Sequence, residues 1–185
     1  MIDDWLKDAE QRMDKSIEAL HKELASIRTG RATPALVDRL HVEYYGAPTP
    51  LLQLASITAP EPRLLVIQPY DRSAIGGIEK AIQKSELGLN PSNDGTLIRI
   101  PVPQLTEERR KEFVRMAKQK AEAARVAIRN IRRDEVENIR KIEKDGEVGT
   151  DEVDRGLTSL QKITDRFVAA VDEVAHKKEQ EILEV

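Results

Sequence analysis

Cations, rather than nucleophiles or metal ligands, are the residues of this chain whose type and spacing suggest chemistry. From Arg109 to Arg133, ten Lys or Arg stand against two acids, Glu112 and Glu122, so the window is net +8 in a chain of net −3. At 100° per residue, Lys118, Arg125, Arg129 and Arg132 fall within about 60° of one another on a helix. They lie beside an apolar stripe of Ala117, Ala121, Ala124, Ile128, Ile131, Ile139 and Ile142. The two acids leave too few partners at i,i+4 spacing to neutralise the face along its own helix. A planar guanidinium contacts two phosphate oxygens at once, so the pattern suits an anionic partner such as RNA phosphate, the alternative being a solvated helix surface with internal ion pairs. Base stacking is secondary, because Phe113 is the lone aromatic here. If four or five of these cations neutralise phosphates, affinity falls on the order of 10²–10³-fold between 50 and 200 mM salt.

The remaining candidates are weaker. Thr29-Gly30-Arg31 lacks the G-x-x-x-x-G-K-[ST] spacing of a nucleotide loop and reads as a helix stop and hinge, with Arg28 and Arg31 as further rim cations. Gly76-Gly77 is no dinucleotide fingerprint. His21, His41 and His176 are scattered and cysteine is absent, so neither a thiolate metal site nor a disulfide framework is available. No catalytic residue, metal site or cofactor is expected. Glu135 falls on the apolar stripe between Ile131 and Ile139, where it is expected to stay wet beyond the reach of partner helices.

Long helices must position these groups. The basic run from Leu105 to Asp145, capped by Thr106 with Glu107 and Glu108 in its first turn, spans about 60 Å at ~1.5 Å per residue. Ahead of it, Ile2, Leu6, Ala9, Met13, Ile17, Leu20, Leu24 and Ile27 repeat at close to the helical period and stop at Thr29-Gly30, glycine favouring a left-handed helix end. Behind it, Asp145–Gly149 turns into a third helix from Thr150, with Val153, Leu157, Leu160, Phe167, Val171, Val174 and Ile182 on one side. Residues 146–185 carry ten acids against five bases. Three such stripes are best satisfied by a three-helix bundle.

All nine prolines and all three tyrosines lie between Pro34 and Pro103. Extended pieces are predicted at Leu40–Tyr45, Leu64–Gln68 and Thr96–Ile100, with one short helix from Ala74 ending near Leu87-Gly88. The fold class is therefore α+β in two domains. Residues 1–29 and 105–185 form a long bundle, domain I, and residues 30–104 a small α/β domain inserted between its first two helices. Two crossings, near 29–33 and 101–104, permit a hinge at Thr29, Gly30, Arg31, Ala32, Pro101, Pro103 and Gln104. No apolar run approaches the ~20 residues of a membrane span, and the chain is expected to be cytoplasmic and monomeric.

Six segments in this order, Ile27-Arg28-Thr29-Gly30-Arg31-Ala32, Val42–Gly46, Ile78–Ile82, Leu87–Pro91, Leu105–Arg110 and Val126–Asp134, closely resemble the bacterial ribosome recycling factor family. The resemblance spans the chain. It implies an L-shaped, tRNA-like molecule without enzymatic activity. Such a molecule binds the post-termination 70S ribosome at large-subunit RNA near the peptidyl site and, with elongation factor G and GTP, splits it into subunits. It carries RNA contact over to Arg110, Arg129, Arg132 and Arg133, beside Lys118, Arg125, Arg28 and Arg31. Gln104 departs from the family, which commonly has proline there. Gly156 interrupts a helix usually free of glycine, at a cost of about 1 kcal/mol relative to alanine. Both departures are expected to loosen the molecule. Two other classes stay open from the residues alone: a small enzyme sited in the insert, and a coiled-coil scaffold binding another helical protein through 105–145.

Overall fold

The computed structural model describes Met1 to Glu184. Its elements run α1 (Ile2–Ala25), β1 (His41–Tyr44), β2 (Ala47–Pro50), α2 (Leu51–Leu54), β3 (Ala55–Glu61), β4 (Leu64–Pro69), α3 (Ile75–Lys84), β5 (Ser92–Asn93), β6 (Ile98–Pro101), α4 (Glu107–Lys144) and α5 (Thr150–Leu183). The class is α+β, as the periodicity predicts. The chain divides into two compact units, one of Met1–Leu24 with Val114–Gln180, the other of Ala25–Phe113 with the segment from Glu181.

In the first unit the helices bury the stripes read from the sequence. Ala9, Met13 and Leu20 of α1, Ala117, Ile128 and Ile139 of α4, and Val153, Leu160 and Val171 of α5 are each at most 2 % exposed. Alanines of α4 share this core with the larger aliphatic residues of all three helices.

Two expectations about this unit need correction. Glu135 is buried, not wet: it is 1 % exposed, because α1 runs alongside α4 at this level and supplies Arg12, whose Nη1 donates to Glu135 Oε1 at 3.5 Å. Arg12 also donates to Asp134 Oδ2 at 3.0 Å, and Asn138 donates to Glu135 Oε2 at 3.2 Å. Nor does Gly156 act as a loose joint. A Cβ there would sit 2.7 Å from Ile2 Cγ2, so the bare backbone is what lets the start of α1 lie against α5.

The second unit holds a two-stranded sheet, β1–β2, and a four-stranded antiparallel sheet in the order β3-β4-β6-β5. Alternation buries Leu65 and Ile67 of β4 and Ile98 and Ile100 of β6 against Ile78 and Ile82 of α3. Where three extended pieces are predicted there are six strands among the described residues. Two prolines in four residues hide β2, although Pro48 and Pro50 are tolerated there because it pairs on one side only; β3 is hidden because its burial does not alternate. The β1–β2 loop is Tyr45-Gly46, with φ of 49° and 76°, the positive pair a tight hairpin turn demands. The short helix ends at Lys84, before the predicted Leu87-Gly88.

The first helix also ends early. It stops at Ala25, and Gly30 does not adopt the left-handed conformation expected of a terminal glycine. Residues past Ala25 turn instead to bury Ile27 and Thr29, and Thr29 Oγ1 accepts from the Arg31 N–H at 3.2 Å.

Candidate nucleic-acid interface

Five of the eight predicted RNA-contacting cations, Lys118, Arg125, Arg129, Arg132 and Arg133, stand on α4 within the helical unit. Helical spacing alone aligns them, and their surroundings then divide them into three kinds.

Arg125, 23 % exposed, donates through Nε to Asp172 Oδ1 of α5 at 2.8 Å and through Nη1 to Glu122 Oε2 at 3.2 Å. Burial opposes its charge, and the hydrogen bonds to Asp172 and Glu122 outweigh that cost, raising its pKa. Arg129 shares the same acid, donating to Glu122 Oε1 at 3.3 Å. These two guanidiniums are thus partly neutralised, by one acid of their own helix and one of α5. Counting partners along α4 alone misses Asp172; the acidic bias of α5 is the signal that could have found it.

Arg132 is different. Its Nη1 donates to the amide oxygen of Gln161 at 2.6 Å, and Gln161 Nε2 donates in turn to Asp165 Oδ1 at 2.8 Å. A neutral amide fixes the guanidinium without cancelling its charge. Lys118 and Arg133 are exposed and have no ion-pair or hydrogen-bond partner among the described residues. Against the five cations stand the two acids that touch them, Glu122 and Asp172, leaving a ridge of net +3. Surface ion pairs of this kind are worth only about 0–1 kcal/mol, so a phosphate can exchange with the acids at small cost.

Arg28, Arg31 and Arg110 belong to the other unit. Arg28 Nη2 donates to the carbonyl of Pro103 at 3.0 Å, which ties together the two segments expected to hinge. Burial, with a lesser effect of nearby Arg109, lowers its pKa. The Nε groups of Arg28 and Arg110 are buried without a hydrogen-bond acceptor among the described residues. Arg31 is exposed, 3.9 Å from Glu184. With Arg110 and Gln104 it lines a cleft of about 420 Å³. Ala32 N–H donates to Pro62 O and Val102 N–H to Arg63 O, both at 2.7 Å, so both segments are braced on the β3–β4 turn. Thr106 caps α4 as read from the sequence, accepting from Arg109 N–H at 3.2 Å. His21, His41 and His176 are all exposed, and no helix among the described residues is long and apolar enough to cross a membrane.

Comparison with known proteins agrees with this architecture. The family described as Ribosome recycling factor matches residues 20–183. A ribosome-recycling factor of Shouchella clausii is 59 % identical over 178 residues, covering 96 % of each chain. One of Halalkalibacterium halodurans is 57 % identical over 185 residues, covering 100 % of both. Among solved structures, a solution structure of the ribosome recycling factor superposes with TM-score 0.80 at 43 % identity, covering 100 % of this chain and 98 % of that one. Another, 51 % identical with TM-score 0.70 and full coverage of both chains, comes from models of the T. thermophilus ribosome recycling factor and E. coli elongation factor G bound to the E. coli post-termination complex.

Proposed function

The chain belongs to the ribosome recycling factor family, and from that premise we propose that it binds the post-termination ribosome and, with elongation factor G and GTP, splits it into subunits. It acts as a non-enzymatic factor, in the cytoplasm and as a monomer. Energy comes from GTP hydrolysis on the partner; the chain contributes positioning and transmits force. A relative solved with elongation factor G on a post-termination complex supports the choice of partners.

The observation that carries the RNA-binding part is the uncancelled charge along α4. Arg132 is oriented by Gln161 rather than by an acid, and Lys118 and Arg133 stand open beside it. We assign Lys118, Arg125, Arg129, Arg132 and Arg133 to phosphates of large-subunit RNA near the peptidyl site. Arg28, Arg31 and Arg110 extend the contact, their guanidinium tips rather than the buried Nε groups of Arg28 and Arg110 meeting the phosphates. Residues 1–29 with 105–185 act as the RNA-holding domain I, and 30–104 as domain II. Thr29, Gly30, Arg31, Ala32, Pro101, Pro103 and Gln104 let domain II yield when the elongation factor pushes it, so that the push disrupts contacts between subunits.

Binding of purified large subunits across salt concentration tests the RNA contact. Arg133→Ala removes an exposed, unpartnered cation and is expected to leave folding intact while lowering the slope of log K against log salt by about 0.7–0.9. An unchanged slope and affinity for Arg133→Ala and for Arg132→Ala would remove the α4 ridge from the interface.

A further inference from the structure

A cleft of about 510 Å³ opens between α4 and α5 at the end of the arginine ridge. Its rim carries Arg132, Arg140 and Lys162; its floor is Val136, Leu157 and Leu160, and no acid is among its lining residues. The volume falls in the range of about 300–1,000 Å³ that small-molecule sites occupy. Gln161 forms one wall. Its amide gives one N–H to Asp165 and takes one from Arg132, leaving an N–H and a lone pair unused among the described residues. Arg140 donates to Glu143 Oε2 at 2.9 Å, a surface i,i+3 contact that competes weakly with a phosphate. Lys162 is exposed and has no ion-pair or hydrogen-bond partner among the described residues.

An apolar floor beneath a cationic rim matches a nucleotide, whose base is flat and weakly polar on its faces and whose phosphate is anionic. Duplex RNA offers no such insert, since its bases are stacked and its major groove is too narrow to read; loops and bulges offer splayed bases. We propose that this cleft receives one unstacked nucleobase of the large-subunit RNA, its base against Leu157 and Val136, its edge on the Gln161 amide, and its flanking phosphates on Arg132, Arg140 and Lys162. The site deepens the RNA-binding reading above and rests on it. It adds Arg140, Gln161 and Lys162, none of them among the cations of the ridge, and it extends the interface from α4 onto α5. A peptide occupant would have to be acidic to suit the rim.

The full chain and purified large ribosomal subunits provide the test. Arg140 and Lys162 project into solvent, so the double variant Arg140→Ala/Lys162→Ala is expected to fold normally. Two lost single-strand phosphate contacts weaken binding about tenfold near 0.15 M salt. The chain has no cysteine, so Thr158→Cys, at the exposed lip of the cleft, accepts a short photo-crosslinker at one site. The crosslink is expected to fall on RNA, at a nucleotide whose base-edge chemical reactivity changes when the unaltered chain binds and not when Leu157→Glu binds. Arg133→Ala serves in parallel. Unaltered affinity of the double variant while Arg133→Ala weakens binding overturns the cleft and leaves the ridge standing. A crosslink to a ribosomal protein also overturns it. Failure of the unaltered chain to bind at 50 mM salt sinks the ridge and the cleft together.

Discussion

Glu135 is the residue at which a solvent-facing α4 fails, and its burial has a measurable consequence. Burial raises its pKa above the ordinary carboxylate value, Asp8 adds to the rise, and Asn138 and Arg12 oppose it. A carboxyl that holds its proton more tightly when folded adds stability at acid pH. That contribution is lost as pH rises from about 4.5 through the raised value. Glu135→Gln has no proton to lose, so its stability relative to the native chain is expected to increase between about pH 4.5 and pH 7 in urea unfolding. The opposite slope would contradict a buried carboxyl with a raised pKa. A second residue-scale prediction concerns Tyr44, whose hydroxyl donates to Asp71 Oδ2 at 2.8 Å. That hydrogen bond, with desolvation and the Asp71 charge, pushes the phenol up to about 12. In Asp71→Asn, absorbance titration is expected to show it falling back toward about 10. The pairings of Arg12 with Asp134 and Glu135 and of Tyr44 with Asp71 are not legible in sequence, because each joins residues distant along the chain.

At the scale of elements, helices are the legible part. The stripes of α1, α4 and α5 repeat at the helical period over 24, 38 and 34 residues, and such long runs leave little ambiguity. Short strands announce themselves poorly, so β2, with two prolines in four residues, and β3, whose burial does not alternate, escape the pattern although their partners β1 and β4 show in it. Gly156 shows the limit of propensity. Glycine within a helix reads as weakness until its neighbour is known, and that neighbour is Ile2, at the far end of the sequence and in contact only through the fold. Gly156→Ala is therefore expected to destabilise the chain by roughly 1 kcal/mol despite alanine's better helix propensity, because overpacking outweighs the gain. In an Ile2→Ala background the same substitution is expected to stabilise. Urea unfolding of the four chains reads that coupling directly, and simple additivity would contradict the close approach.

For the whole molecule, the sequence carries the family and the class of partner, and it carries the α4 cations by position. It does not carry their electrostatic state. Asp172 and Gln161 decide which guanidiniums are matched by a counter-charge and which are not, and both lie on α5, 47 and 29 residues from the arginines they touch. This ordering predicts unequal roles. Arg132→Ala and Arg133→Ala are expected to weaken large-subunit binding more than Arg125→Ala, whose guanidinium is already held by two acids. Equal losses at all three positions, measured in one salt series, would mean that the acids release their arginines on binding.

Recycling itself is put to the proof by sedimentation of purified post-termination ribosomes with this chain, elongation factor G and GTP, each omitted in turn. Conversion to subunits is expected only when all three are present, and markedly less of it with a folded Arg132→Ala/Arg133→Ala chain. Splitting that proceeds equally without the chain, or undiminished with the double variant, would contradict the proposed function.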